Sequence, residues 1–216
     1  MKRRISYLAI LGSLAIAAAP AFAAPGFHVV PVHGTVAGEG YAYYLKRDWQ
    51  IVFSTSPPVK PCQTLNVNGH DVGLLTLRTL KPIKESYACS EPAGRPLYAV
   101  ELSSECSTFK GDHGKYGTSD PQLEKCARTL FKGSKNATAV DGQSVNVTKL
   151  VATTGVYRVH VQKKNLFGSN RAGKGKSAAH GYGLLLTGLS KGTHVIHTLF
   201  KFGSNRWDIT WSVHVH

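Results

Sequence analysis

The last part of the chain alternates apolar and polar side chains more regularly than any other stretch. From residue 207 onward every second position is apolar, with Trp207, Ile209, Trp211, Val213 and Val215 set against Asp208, Thr210, Ser212, His214 and His216. A period of two residues is typical of a β-strand that buries one face. Two further extended runs, 182–189 and 193–202, precede it. We therefore predict a strand, a turn and a β-hairpin between Gly181 and His216.

Two segments show helical spacing instead. In the first, apolar residues recur every three or four positions until Pro57-Pro58, as Tyr41, Tyr44, Leu45, Trp49, Val52 and Phe53. The second has Asp120 as the expected N-cap, Pro121 in its first turn and Gly133 just past its end. Its apolar face comprises Leu123, Cys126, Ala127, Leu130 and Phe131. The pattern predicts helices near 40–54 and 120–132.

The rest of the chain has short strand-like runs separated by turn residues. These runs are 72–79, 96–102, 137–140, 144–150 and 156–162, and a basic, glycine-containing loop is predicted for 163–176. Many short strands with frequent turns favour a sandwich over a fold of alternating strands and helices. We expect a mainly β protein, an antiparallel, jelly-roll-like β-sandwich with two short packed helices, formed by one domain over residues 24–216.

The first 23 residues have the pattern of a signal peptide. Lys2, Arg3 and Arg4 precede an apolar stretch over 5–19, and Ala21-Phe22-Ala23 is an A-x-A cleavage site. The apolar stretch is shorter than a membrane-spanning helix requires. We therefore predict a secreted or periplasmic protein without a transmembrane segment in its mature chain.

An exported chain with four cysteines is expected to form two disulfides. Three pairings of Cys62, Cys89, Cys106 and Cys126 are possible, and the one that joins neighbours in sequence closes the smallest loops. We favour Cys62–Cys89 and Cys106–Cys126. Their spacing contains no C-x2-C pair, which argues against a zinc site.

The charge is strongly basic and unevenly placed. The net charge is +14, and residues 142–207 contain no acidic side chain at all. Such a field attracts anionic polymers or surfaces, although a solvated face that gives solubility fits equally well. The sequence Phe-Gly-Ser-Asn-Arg occurs at 167–171 and again at 202–206, either as two similar turns or as parts of one rim. The candidate ligand-binding residues are Lys163, Lys164, Arg171, Lys174, Lys176 and Arg206.

Sequence motifs for catalysis are weak. The chain lacks G-x-S-x-G, H-E-x-x-H and the phosphate-binding G-x4-G-K-[ST] frame, so no catalytic residue or cofactor is assigned. Glu101 and Glu105 could form an acid–base pair on one strand face. His214 and His216 share a strand face and could hold a metal with His160 as a third ligand.

These observations favour a non-catalytic binding domain that contacts an anionic polysaccharide or envelope component, without specific nucleic-acid binding. The alternative is a secreted hydrolase or lyase acting on an acidic glycan, which requires a deep pocket with a carboxylate or histidine at its floor. A structural envelope protein with incidental charge is the third hypothesis.

The order of motifs over most of residues 40–216 resembles a group of uncharacterised bacterial exported proteins. The motifs are the aromatic helix, Pro92-Ala93-Gly94-Arg95-Pro96-Leu97, Glu105-Cys106, Val140-Asp141-Gly142, Asn165-Leu166-Phe167-Gly168, Gly181-Tyr182-Gly183-Leu184-Leu185-Leu186 and Gly192-Thr193-His194-Val195-Ile196-His197. That group has a Tyr/Trp-rich N-terminal helix, four cysteines and a C-terminal G-x-H-x-I-H hairpin. The resemblance implies a secreted, disulfide-bonded, β-rich domain and carries no activity with it. This chain departs from the group at Arg47-Asp48-Trp49, where paired tryptophans are usual, and in its lysine-rich loop.

Overall fold

Eleven strands and two α-helices make up the part of the chain that the computed structural model describes, namely residues 26–56, 58–77, 81, 83–109, 119–164 and 172–216. In chain order they are β1 (His28–Val29), α1 (Tyr41–Ser54), β2 (Cys62–Val67), β3 (His70–Leu75), β4 (Lys84–Glu91), β5 (Leu97–Ser107), α2 (Asp120–Phe131), β6 (Lys135–Val140), β7 (Gln143–Val145), β8 (Val151–Val161), β9 (Gly173–Thr187), β10 (Gly192–Phe202) and β11 (Asn205–Val215). The expected signal peptide lies outside the described residues. No described helix is long and apolar enough to cross a membrane.

The strands form two sheets that pack face to face. The first sheet has the order β1-β9-β5-β3-β2, with β8 also paired to β9, and the second has the order β4-β11-β10-β6-β7. One apolar core contains buried side chains from both, such as Leu184 on β9 and Trp211 on β11. The predicted β-sandwich with two short helices is confirmed. The pairs β3–β5 and β4–β11 are parallel, because the chain changes sheet between β3 and β4 and again before β5.

The predicted C-terminal hairpin is present over its whole length. β10 and β11 pair from Gly192↔Val215 to Phe202↔Asn205. Ile209, Trp211 and Val213 are fully buried, as the alternation requires. The side chains between them face outward and are partly or fully exposed.

The two helices cover opposite faces of the first sheet. Leu45 and Trp49 of α1 belong to a core cluster with Ala179, whereas Leu123 of α2 packs in a cluster with Ala178. Since consecutive residues of a strand point to opposite faces, the helices sandwich this half of β9 between them.

Several local predictions need correction. β9 begins at Gly173, so Lys174 and Lys176 lie in a strand and not in the predicted loop. The N-cap of α2 is Ser119 and not Asp120, and its backbone N–H donates to Oε1 of Gln122. Leu130, assigned to the apolar face of α2, is 38% exposed. The strands β1, β2 and β4 were not predicted.

Both disulfides have the pairing that the sequence favours. Cys62–Cys89 links β2 of the first sheet to β4 of the second, with 5.7 Å between the Cα atoms. Cys106–Cys126 links β5 to α2, with a Cα separation of 6.0 Å. One bond therefore joins the sheets and the other fastens a helix to a sheet.

Candidate functional site

Four basic side chains lie side by side on the paired strands β8 and β9. Arg158 is directly opposite Lys176, and His160 is directly opposite Lys174. Arg158 and His160 alternate along β8 with residues that pack against α1, namely Tyr157, Val159 and Val161. All four basic side chains are consequently directed away from that core and are exposed.

A groove at the outer edge of β8 combines these residues with Arg47 of α1. Arg47, Arg158, His160, Lys174 and Lys176 all line it, and we call this set the cationic groove. No described residue that lines it carries a carboxylate. Like charges directly opposite each other on paired strands destabilise a sheet. Asp120 offsets this in part, since its carboxylate lies 2.8 Å from Nζ of Lys176.

The predicted binding residues are only partly brought together. Lys174 and Lys176 lie in the cationic groove, while Lys163 and Lys164 are exposed just after β8 and do not line it. Arg206 lies on β11 in the second sheet, where it forms an ion pair of 3.2 Å with Asp208. Arg171 lies outside the described residues.

Sequence reasoning missed three members of the groove as binding residues. Arg158 and His160 fall in the strand predicted for 156–162, but the sequence does not show that this strand pairs with β9. Arg47 falls in the helix predicted near 40–54, between the apolar positions Leu45 and Trp49. The signal that could have joined Arg158 and His160 to Lys174 and Lys176 is the matching alternation of basic residues along both strands.

A second concave site lies where both helices and both sheets meet. It is a cavity of about 340 Å³ whose walls come from α1, α2, β5 and the β10–β11 hairpin. Its apolar lining includes Trp49, Leu102, Phe131, Phe200, Phe202 and Trp207. We call it the aromatic cavity. The rings of Phe200 and Trp207 are stacked with 5.1 Å between their centroids.

Asp48 is the unusual residue of this cavity. It lies on the apolar face of α1, is only 4% exposed and lines the cavity. Its Oδ1 has no hydrogen-bond partner. Burial raises the pKa of Asp48 to about 7, and the neighbouring Thr76 hydroxyl lowers it only in part. A buried polar atom without a partner is costly, so this carboxyl group requires an explanation.

Glu101 and Glu105 do not form the acid–base pair that their spacing suggested. A β-bulge between Val100 and Leu102 interrupts the regular alternation of β5. Glu101 is fully buried, and its Oε2 accepts hydrogen bonds from Thr138 and Thr198 of the second sheet.

Burial raises the pKa of Glu101, although these hydrogen bonds lower it in part. Glu105 lines the aromatic cavity, which Glu101 does not, and accepts a hydrogen bond from Ser177. The two carboxyl groups therefore have separate surroundings.

The histidine hypothesis for a metal is not supported by the strand order. His214 and His216 do stack on one face of β11, with 6.2 Å between their ring centroids. His160 lies in the first sheet and is not on a neighbouring strand. Within the described ranges, no group of three or more His, Cys, Asp or Glu side chains could hold a metal ion.

Comparisons with known proteins add little. No protein-family model and no curated protein matches the chain. The solution structure of amebosin is similar at 13% identity and a TM-score of 0.24, over 62% of this chain and 96% of that one. The structure of PbICP-C in complex with falcipain-2 is similar at 10% identity and a TM-score of 0.27, over 66% of this chain and 97% of that one. Likeness of this degree carries no argument about function, and the resemblance to a group of bacterial exported proteins stays a prediction.

Proposed function

We propose that this protein is an exported binding domain whose cationic groove contacts an anionic polymer, such as an acidic polysaccharide of the cell envelope. The observation that carries the proposal is the direct opposition of Arg158 and Lys176 in a groove without a lining carboxylate. The ion pair of Lys176 with Asp120 offsets the repulsion between these two groups only in part, and a bound anion relieves it further.

The chemistry of the groove suits phosphate, sulfate or carboxylate groups. The guanidinium groups of Arg47 and Arg158 can each donate two parallel hydrogen bonds to such a group. Lys174 and Lys176 add charge at fixed spacing, and His160 adds a ring nitrogen that can hydrogen-bond, because the β8–β9 pairing holds their backbones in place. Exposed charges act through solvent, so we expect binding to weaken steadily with added salt.

A binding experiment with three probes tests the proposal. Dextran sulfate, polygalacturonate and polyphosphate present sulfate, carboxylate and phosphate groups on polymers, and affinity is measured across a series of NaCl concentrations. The double variant R158Q/K176Q removes the opposed pair. We expect at least one probe to bind the wild type and to lose about tenfold in affinity in the variant at low salt, or roughly 1.4 kcal/mol.

A matched control is available in the second sheet. Lys135 and Lys201 are also directly opposite each other and exposed. The carboxylate of Asp208 lies in the same region, since its partner Arg206 is directly opposite Lys201. The variant K135Q/K201Q removes as much positive charge as R158Q/K176Q does, and it should lower the affinity for the probe by less than about twofold. Equal losses in both variants, or no binding of any probe to the wild type, would contradict the proposal.

The alternative, a glycan-degrading enzyme, fits the concave site less well. The aromatic cavity does contain two carboxyl groups, those of Asp48 and Glu105. Its other lining is mainly apolar, and no lysine or arginine is among the described residues that line it. An acidic sugar would therefore bring its own charge next to two carboxyl groups without a compensating cation.

A further inference from the structure

We propose that the aromatic cavity binds a small apolar molecule that carries a protonated amine, and that this amine pairs with the carboxyl group of Asp48. The site is separate from the cationic groove, and the proposal does not depend on the proposed function. Its ligand class follows from the shape, the apolar lining and the one unpartnered acidic atom of the cavity.

The volume and lining of the cavity fit a small apolar body. About 340 Å³ lies at the lower end of the range for small-molecule sites. Two of the large apolar side chains that the described part of the protein exposes, Leu130 and Phe202, line the cavity, so its entrance is apolar as well. Aromatic rings from α1, α2 and the β10–β11 hairpin surround the space, and their faces attract cations as well as apolar groups.

Asp48 selects the polar group of the ligand. Its Oδ1 is buried without a hydrogen-bond partner, although the residue lines a space large enough for a guest. Among the described residues, the ionisable groups that interact electrostatically with Asp48 or line its cavity are Tyr98, Tyr157 and Glu105, and none of these is a cation. An ammonium group supplies both the missing donor and the missing positive charge.

Other ligand classes fit less well. A carboxylate or phosphate would be buried beside two carboxyl groups, which costs free energy through repulsion and desolvation. A purely apolar ligand would leave Oδ1 of Asp48 unpartnered. A neutral alcohol could donate one hydrogen bond to Asp48 but would not compensate the negative charge of its carboxylate.

Three probes of matched length test this choice, namely 4-phenylbutylamine, 4-phenylbutan-1-ol and 4-phenylbutyrate. Tryptophan fluorescence reports binding directly, because Trp49 and Trp207 line the cavity, whereas Trp211 lies in the core between the sheets. Titrations are done near pH 8 in about 0.5 M NaCl, which screens the exposed basic residues. We expect the amine to bind about tenfold more tightly than the alcohol and 4-phenylbutyrate not to bind. This comparison uses only the wild-type protein.

Two variants test whether the preference for the amine over the alcohol arises from the carboxyl group of Asp48. D48N should reduce the affinity for the amine to that for the alcohol and leave the alcohol's affinity within about twofold. E105Q makes the same chemical change in the same cavity and should keep the preference for the amine. Equal affinities for amine and alcohol in the wild type, or loss of the preference in E105Q alone, would overturn the proposal. So would the absence of any fluorescence change with all three probes up to millimolar concentration.

Discussion

Asp48 and Glu101 are both buried acidic residues, but their carboxyl groups have different hydrogen-bond partners and surroundings. One oxygen of Glu101 receives hydrogen bonds from Thr138 and Thr198, and the amide of Asn136 adds a third at 3.4 Å. Each residue also has one oxygen without a partner, Oε1 of Glu101 and Oδ1 of Asp48, but Asp48 has only the neighbouring Thr76 and lines the aromatic cavity. Glu101 therefore belongs to the polar interior between the sheets, whereas Asp48 borders an empty space.

The position of Asp48 could have been predicted from the sequence, but its environment could not. It follows Leu45 by three residues and precedes Val52 by four, which places it on the apolar face of α1. The bulge that turns Glu101 toward the second sheet has no comparable signal, since both glutamates fit the same strand period. Which polar atoms find partners depends on contacts between distant segments, and local spacing does not contain this information.

Titration of Asp48 should make the protein less stable as the pH rises. An unfolded aspartate has a pKa near 3.9, whereas that of folded Asp48 is about 7. Between these values the folded state holds one more proton than the unfolded state, so the free energy of unfolding falls by at most about 1.4 kcal/mol per pH unit. Above pH 7 this contribution no longer changes.

Urea denaturation of the wild type and D48N between pH 5 and pH 8 measures this effect. We expect the difference in unfolding free energy to grow in favour of D48N by about 2–3 kcal/mol between pH 5 and pH 7 and then to level off. A pH-independent difference between wild type and D48N would mean that Asp48 is ionised throughout.

At the scale of elements, the best-predicted segments are those whose burial follows one regular period. β11 and α2 are of this kind, and both lie close to their expected bounds. β4 was missed because its inward positions include polar Glu91, which is acceptable there only because Arg95 pairs with it at 2.8 Å. The start of β9 was missed because alternating Gly and Lys at 173–176 is typical of a loop. At Gly175 a Cβ atom would lie 2.6 Å from the ring of Phe109, so close packing explains one of these glycines.

Helix α2 should depend on its disulfide for stable packing. It contacts the sheet through Leu123 and Ala127 beside Cys106, through Phe131, whose ring lies 4.6 Å from that of Tyr182, and through a hydrogen bond of 2.6 Å from Ser104 to the carbonyl of Ala127. The bond closes a sequence separation of 20 residues, for which the chain-entropy model gives about 3 kcal/mol.

The variant C106A/C126A tests this dependence. We expect its free energy of unfolding to fall by about 3 kcal/mol and the amide protons of α2 to exchange faster than those of β10 and β11. Because Phe131 of α2 forms part of the aromatic cavity, affinity for 4-phenylbutylamine should fall as well. Unchanged exchange in α2 would show that the apolar contacts alone hold the helix.

At the scale of the whole molecule, the two sheets are joined at one side by the other disulfide. β2 is the last strand of the first sheet and β4 is the first strand of the second, and Cys62–Cys89 connects them. Edge strands present unpaired backbone groups and are the weak points of a sandwich. The excess of basic over acidic residues adds repulsion within the folded state, and a covalent link between the sheets opposes it.

Removing the Cys62–Cys89 disulfide should lower the stability of both sheets and not that of a single element. The disulfide spans 27 residues, and the chain-entropy model gives about 3–4 kcal/mol for C62A/C89A. Because the bond joins both sheets, we expect amide exchange to accelerate in the core strands of each, including β5 and β10, while α2 keeps its protection relative to them. Added salt screens the repulsion among the basic side chains and should restore part of the lost stability. Faster exchange confined to β2 and β4 would instead show that the two sheets are held together by their apolar core without help from this bond.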